Sequence, residues 1–178
     1  MTNAIEQNPA PAATMKLALD YASQAKMVPG RRSFFHYRDL GVKAASAGRM
    51  RVTETRAIAG MTESTGWHYH TCEMQFVYMM AGEEILEFED GTVAYFGPGD
   101  AFFIPGGVKH NELYVSADKF SIEVVVPGEM GTVECERPQG MPAQLQPVGL
   151  SAELIQQKLA DVARSAAQSK SSGTSVSP

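Results

Sequence analysis

Cysteine is nearly absent. The chain of 178 residues holds two, Cys72 and Cys135, which make no disulfide framework. Positive charge is also in short supply. Fifteen Lys and Arg stand against twenty Asp and Glu, a net charge of −5. That balance argues against nucleic acid or an anionic membrane surface as partner. No apolar run approaches the length of a membrane span. Met1 to Glu6 shows no basic region leading into an apolar one, so the start does not read as a secretory signal. A cytoplasmic location is the default expectation. There is no internal repeat and no helix-turn-helix pattern. The remaining composition, 44% hydrophobic and 20% charged, is ordinary for a globular protein, and the length suits one domain.

Residues 1–14, rich in Ala, Pro and Asn, are expected to be disordered. Residues 15–49 read as an N-terminal helix and a lead-in strand. The helix is expected over 15–27, with Met15, Leu19 and Ala22 on one face and Pro29-Gly30 ending it. From 50 to 137 the signals are those of strands. Phe120, Ile122, Val124 and Val126 alternate with Ser121, Glu123 and Val125, and Asp90-Gly91 carries a hairpin signal. Many short strands with Gly and Pro turns predict an all-β antiparallel barrel or jelly roll. Residues 138–164 read as a connector and a C-terminal helix. Ser151 is its N-cap, and Leu154, Ile155, Leu159 and Val162 form its apolar face. Residues 165–178 read as a loose tail.

Three of the four histidines are spaced to surround one metal ion. His68 and His70 stand at i and i+2, which in a strand sends both imidazoles to one face. His110 follows a second segment, Gly97 to Gly107, punctuated by Gly and Pro. His36 has no such spacing and reads as structural.

At these residues the chain resembles the cupin superfamily. The first motif reads H-x-H-x4-Q-x6-G from His68 to Gly82. The second reads G-x5-P-x-G-x2-H-x3-Y from Gly99 to Tyr114. The usual glutamate is Gln75, the usual asparagine is Tyr114, and the leading glycine, Gly60, sits two residues early. The resemblance implies a cupin barrel with His68, His70, Gln75 and His110 as ligands of one divalent transition metal per chain. Glu73 is the alternative carboxylate ligand, but Gln75 keeps the spacing to Gly82. Fe(II) is favoured, with Zn, Ni or Mn as alternatives.

Two further residues are candidates for catalysis. Tyr114 shares the inward face of His110 if that strand is regular, and its hydroxyl could serve as an acid; packing in the barrel wall is the other reading. Arg56 could face inward with Glu54 and bind a carboxylate; an exposed ion pair is the alternative.

Three neutral His and a neutral amide leave the metal its full charge for an anionic chelate. With an apolar interior around Val77 and Met79, this suggests an Fe(II) dioxygenase acting on a small enolisable diketone or keto acid. A redox-neutral isomerase, cyclase or hydrolase using Zn, Ni or Mn is the second reading. A non-catalytic binding cupin is the third. Phe76, Tyr78 and Met80 point outward beside Gln75, Val77 and Met79, so the strand is apolar on both faces and needs an outer cover. A second subunit, giving a homodimer, or a terminal helix of the same chain would provide it.

Overall fold

A computed structural model describes residues 14–142 and 146–172. Residues 1–13 of the stretch 1–14 expected to be disordered, and the last six tail residues, lie outside it. Two six-stranded sheets face each other. The first has the order β1 (Val28–Pro29), β2 (Phe35–Asp39), β3 (Arg51–Ala57), β10 (Phe120–Val126), β5 (Met74–Ala81), β8 (Ala101–Pro105). The second has the order β11 (Thr132–Glu134), β4 (His68–His70), β9 (His110–Val115), β6 (Glu84–Phe88), β7 (Thr92–Phe96), β12 (Gln146–Val148). All pairings are antiparallel except β12 on β7. This is the all-β jelly roll that the strand signals predict.

Turn chemistry sets the corners. Asp90-Gly91 joins β6 to β7, with Gly91 at φ 88°. Gly82 joins β5 to β6 at φ 71°, and a Cβ there would meet the Lys119 backbone at 2.5 Å. Only glycine satisfies both demands. Gly106, after β8, lies so close to the Cys72 carbonyl that a Cβ would sit 1.7 Å from its oxygen.

The two sheets are covered differently. The last helix, α2 (Ala152–Ser172), lies on the outside of the second sheet. Its Ile155 is buried with Ile85 and Val93, and Leu159 packs against that cluster. Ser151 Oγ accepts from the Leu154 amide at 3.4 Å, as an N-cap does. The helix runs eight residues beyond the expected end at 164, through Ser165-Ala166-Ala167-Gln168-Ser169-Lys170-Ser171-Ser172, a stretch with no Gly or Pro to stop it. The first sheet has no such cover among the described residues. On β5, Gln75, Val77 and Met79 are buried while Met74, Phe76, Tyr78 and Met80 are exposed.

Over 15–27 the chain is extended, with one 3-10 turn at Ala22–Gln24, where the apolar spacing suggested a helix. The only α-helix among the described residues before the barrel is the single turn α1 (Val42–Ala45). Met15 and Leu19 remain exposed, so a helix would have had no surface against which to bury its stripe. The extended chain is tied down instead by its Lys16 amide on the Ala45 carbonyl and by an Asp20–Arg38 ion pair.

Candidate metal centre

Strand pairing assembles the three histidines. His68 and His70 share the inner face of β4, and His68 lies directly across from His110 on β9. Their rings stand 4.4–5.2 Å apart, centre to centre. One ring nitrogen from each lies within 4.8 Å of the others. Nitrogens about 2.1 Å from a single ion sit roughly 3–4 Å apart, so little closing is required.

Backbone carbonyls fix the tautomers. Nδ1 of His68 lies 2.9 Å from the Gly66 oxygen, and Nδ1 of His110 lies 3.0 Å from the Val108 oxygen. A carbonyl only accepts, so each Nδ1 must donate, and each Nε2 keeps its lone pair for a metal. His70 Nδ1 is 3.2 Å from the Thr132 hydroxyl. Burial, then the neighbouring His110 and His68, pushes the His70 pKa down to about 4. Burial likewise lowers that of His110. Neutral imidazoles are the form that binds metal.

Gln75 reaches the same cavity from the opposite sheet. Its Nε2 donates to Glu123 Oε1 at 2.6 Å. A carboxylate only accepts, so the amide nitrogen must face Glu123. That leaves Gln75 Oε1, which is buried and has no partner among the described residues. A buried, orphaned carbonyl oxygen on a residue that lines the same cavity as three imidazoles fits a metal ligand or a holder of metal-bound water. Glu73 is exposed and lies outside the residues lining the cavity.

The cavity holds about 360 Å³. Val77, Leu86, Phe102 and Ile104 give it one apolar wall. Its other wall is polar, with Tyr37, Arg51, Thr53, Thr55, Ser121 and Glu123 on β2, β3 and β10. The expectation of an apolar interior therefore holds for one side only. Met79 is fully buried but is not part of the lining.

The two proposed catalytic residues point elsewhere. The β6–β9 register slips between Ile85 and Leu86: Ile85 opposes Tyr114, while Leu86 opposes Glu112. This bulge breaks the parity that would have carried Tyr114 inward. Tyr114 packs instead against the cluster beneath α2, with the Lys158 ammonium 5.8 Å from its ring. Arg56 alternates with the inward Thr53 and Thr55 in the wrong phase. It pairs with Glu54 and stacks its guanidinium 3.8 Å over Phe120 on the outside.

Glu112 does face inward on the same strand. It stands two residues after His110, before the bulge, and lines the cavity. Burial opposes its ionisation. The Thr65 hydrogen bond and the nearby cations, Lys119 and the His68 and His110 rings when protonated, outweigh that and hold its pKa below the usual value. Tyr37 is pushed up to about 12 by burial, then by Glu123 and Glu112, so its hydroxyl keeps its proton. Lys119 and Glu84 form a buried ion pair at 2.9 Å on the same cavity. Sequence reasoning missed Glu112 and Arg51. The signal for Glu112 was its same-face spacing from His110.

Residues 57–126 match the family described as the cupin domain. This segment is a cupin domain. Among solved structures, the chain is similar to the polyketide cyclase RemF from Streptomyces resistomycificus. The two share 24% identity at TM-score 0.55, over 70% of this chain and 89% of that one. KdgF from Halomonas sp. shares 17% identity at TM-score 0.52, over 63% and 94% of the two chains. Oxalate decarboxylase from Bacillus subtilis shares 18% at TM-score 0.50, over 73% of this chain and 34% of that one. At these identities the likeness establishes the fold. No curated protein sequence matches the chain. No helix among the described residues is long and apolar enough to cross a membrane.

Proposed function

We propose that this cupin is a metal-dependent enzyme that moves protons on a small, oxygen-bearing molecule, in the class of redox-neutral isomerases and cyclases. The observation that carries the reading is Glu112, a carboxylate facing the cavity beside three histidines but outside the ligand cluster. His68, His70 and His110 would hold the ion, with Gln75 Oε1 completing the set or holding a water. A divalent metal bound there supplies Lewis acidity toward a substrate oxygen. Glu112, kept ionised, accepts a proton from the carbon or hydroxyl next to that oxygen. Tyr37, kept protonated, donates a hydrogen bond to a developing negative charge. The Val77, Leu86, Phe102 and Ile104 wall keeps water from the reacting face.

The test is solvent exchange. Metal-loaded protein is incubated under argon in deuterated water with a panel of 1,3-diketones and 2-keto acids, and proton signals next to the carbonyl are followed by NMR. The reading expects exchange without dioxygen, slowed about 10²–10⁴-fold in Glu112→Gln with the metal retained. Equal exchange by wild type and Glu112→Gln would contradict it.

A second reading keeps support from a different observation. The neutral donor set and the apolar wall suit an Fe(II) dioxygenase acting on an enolisable substrate. Oxygen uptake by the iron-loaded protein with the same panel, and no turnover under argon, would favour that class.

A further inference from the structure

We propose that Arg51 is the carboxylate-binding residue of this cavity, so that the substrate is an anion held at Arg51 while its reacting end faces the histidines. This deepens the reading of the cavity as a substrate site and rests on it. Arg51 begins β3 and lies in register with Val125, which lies in register with Gln75. Two strand spacings, about 10 Å of backbone, therefore separate Arg51 from Gln75, which lines the cavity with the histidines. A ligand with a carboxylate at one end and reacting oxygens at the other spans such a gap.

The guanidinium is held but not used up. Its Nη2 reaches Glu123 Oε2 at 3.4 Å, a long and single contact. Glu123 sits on the strand between Arg51 and Gln75, and the shorter bond from Gln75, at 2.6 Å, draws its other oxygen the opposite way. Arg51 Nε is buried with no partner among the described residues. A buried guanidinium edge with an unmet N–H is costly unless something accepts from it. A carboxylate can accept from Nε and a terminal nitrogen together. Glu123 then acts as a positioning residue that keeps the fork aimed inward.

Charge points the same way. The cavity is lined by four Lys and Arg and four Asp and Glu, which cancel. A dipositive ion on neutral imidazoles and a neutral amide leaves the cavity net positive, which suits an anion.

The probe is succinate, titrated into metal-free protein and followed by NMR, with succinamide as its uncharged counterpart. Wild type is expected to bind succinate more tightly than succinamide. Arg51→Gln should weaken succinate binding about tenfold or more and leave succinamide unchanged. Arg51→Lys keeps the charge but loses the fork, and should weaken it about threefold or more. Arg164→Gln, an exposed change on α2, should match wild type. Should Arg51→Gln fail to fold, Arg51→Lys decides. Succinate binding of wild-type strength in the folded Arg51 variants, or no preference for succinate in wild type, overturns the proposal. Metal content is measured in parallel on the same proteins. A wild type that takes up no metal yet binds succinate through Arg51 sinks the metal-enzyme reading and leaves the anion site standing.

Discussion

Gln75 shows why an amide stands where the cupin motif has a carboxylate. Glu123 Oε1 lies 2.6 Å from its nitrogen. A glutamate at position 75 would bring two carboxylates to that distance, and one would have to stay protonated. The amide donates to Glu123 and turns its oxygen to the cavity. Gln75→Ala is therefore expected to weaken metal binding less than His70→Ala does, because an amide oxygen is the poorer donor, while Glu73→Ala leaves affinity unchanged. Isothermal titration with Zn²⁺ checks the order; loss of affinity in Glu73→Ala alone would reverse the assignment. At this scale His68 and His70 were legible from a strand's two-residue period, and His110 and Gln75 from the motif spacing that the cupin resemblance supplies. Arg51 was not, since choosing it over Arg56 requires the phase of β3, and nothing in Arg51-Val52-Thr53-Glu54-Thr55-Arg56 marks which face is inward.

Elements fail to be legible where local geometry departs from the ideal. The β9 bulge turns Tyr114 off the inner face while Glu112, ahead of it, keeps its place there, and a regular period cannot foresee a slipped register. On β10 the alternation is visible, yet its polar set, Ser121 and Glu123, faces inward because the barrel encloses a cavity rather than a dry core. The Gly82 corner, by contrast, was marked by the motif. Gly82→Ala combines a left-handed φ with a 2.5 Å approach to Lys119 backbone. It should destabilise the fold by more than about 1 kcal/mol, the cost of the φ alone. Urea denaturation measures this, and an unchanged midpoint would refute the stated reason for the glycine. Ile155→Ala on α2 empties a buried site between Ile85 and Val93 and should cost about 2–5 kcal/mol. A loss below 0.5 kcal/mol by the same denaturation would mean that α2 is not docked through that cluster.

The whole molecule is lopsided. Helix α2 covers the outside of the second sheet, while Phe76 (39% exposed), Tyr78 (41%), Met80 (48%) and Phe103 (57%) lie bare on the first. These side chains sit on neighbouring strands, β5 and β8, so they form one patch. Neither helix among the described residues reaches it, and a second copy is the occupant we expect. Burying one such side chain contributes roughly 1.5–3 kcal/mol. Light scattering should give twice the chain mass at micromolar concentration, and Phe76→Glu with Met80→Glu should return it to one; a wild-type monomer would contradict this. The sequence announced the two-sided strand but not which face α2 would choose, because that depends on where the connector delivers the helix. The central claim joins the scales: one divalent ion bound by His68, His70 and His110, beside a carboxylate that is not its ligand. Its most direct test is metal stoichiometry after metal-free protein is loaded with Zn²⁺ and excess ion is removed. The account predicts about one ion per chain in wild type and in Glu112→Gln, and a several-fold loss in His70→Ala and His110→Ala. Full occupancy in both histidine variants, or loss in Glu112→Gln alone, would contradict it.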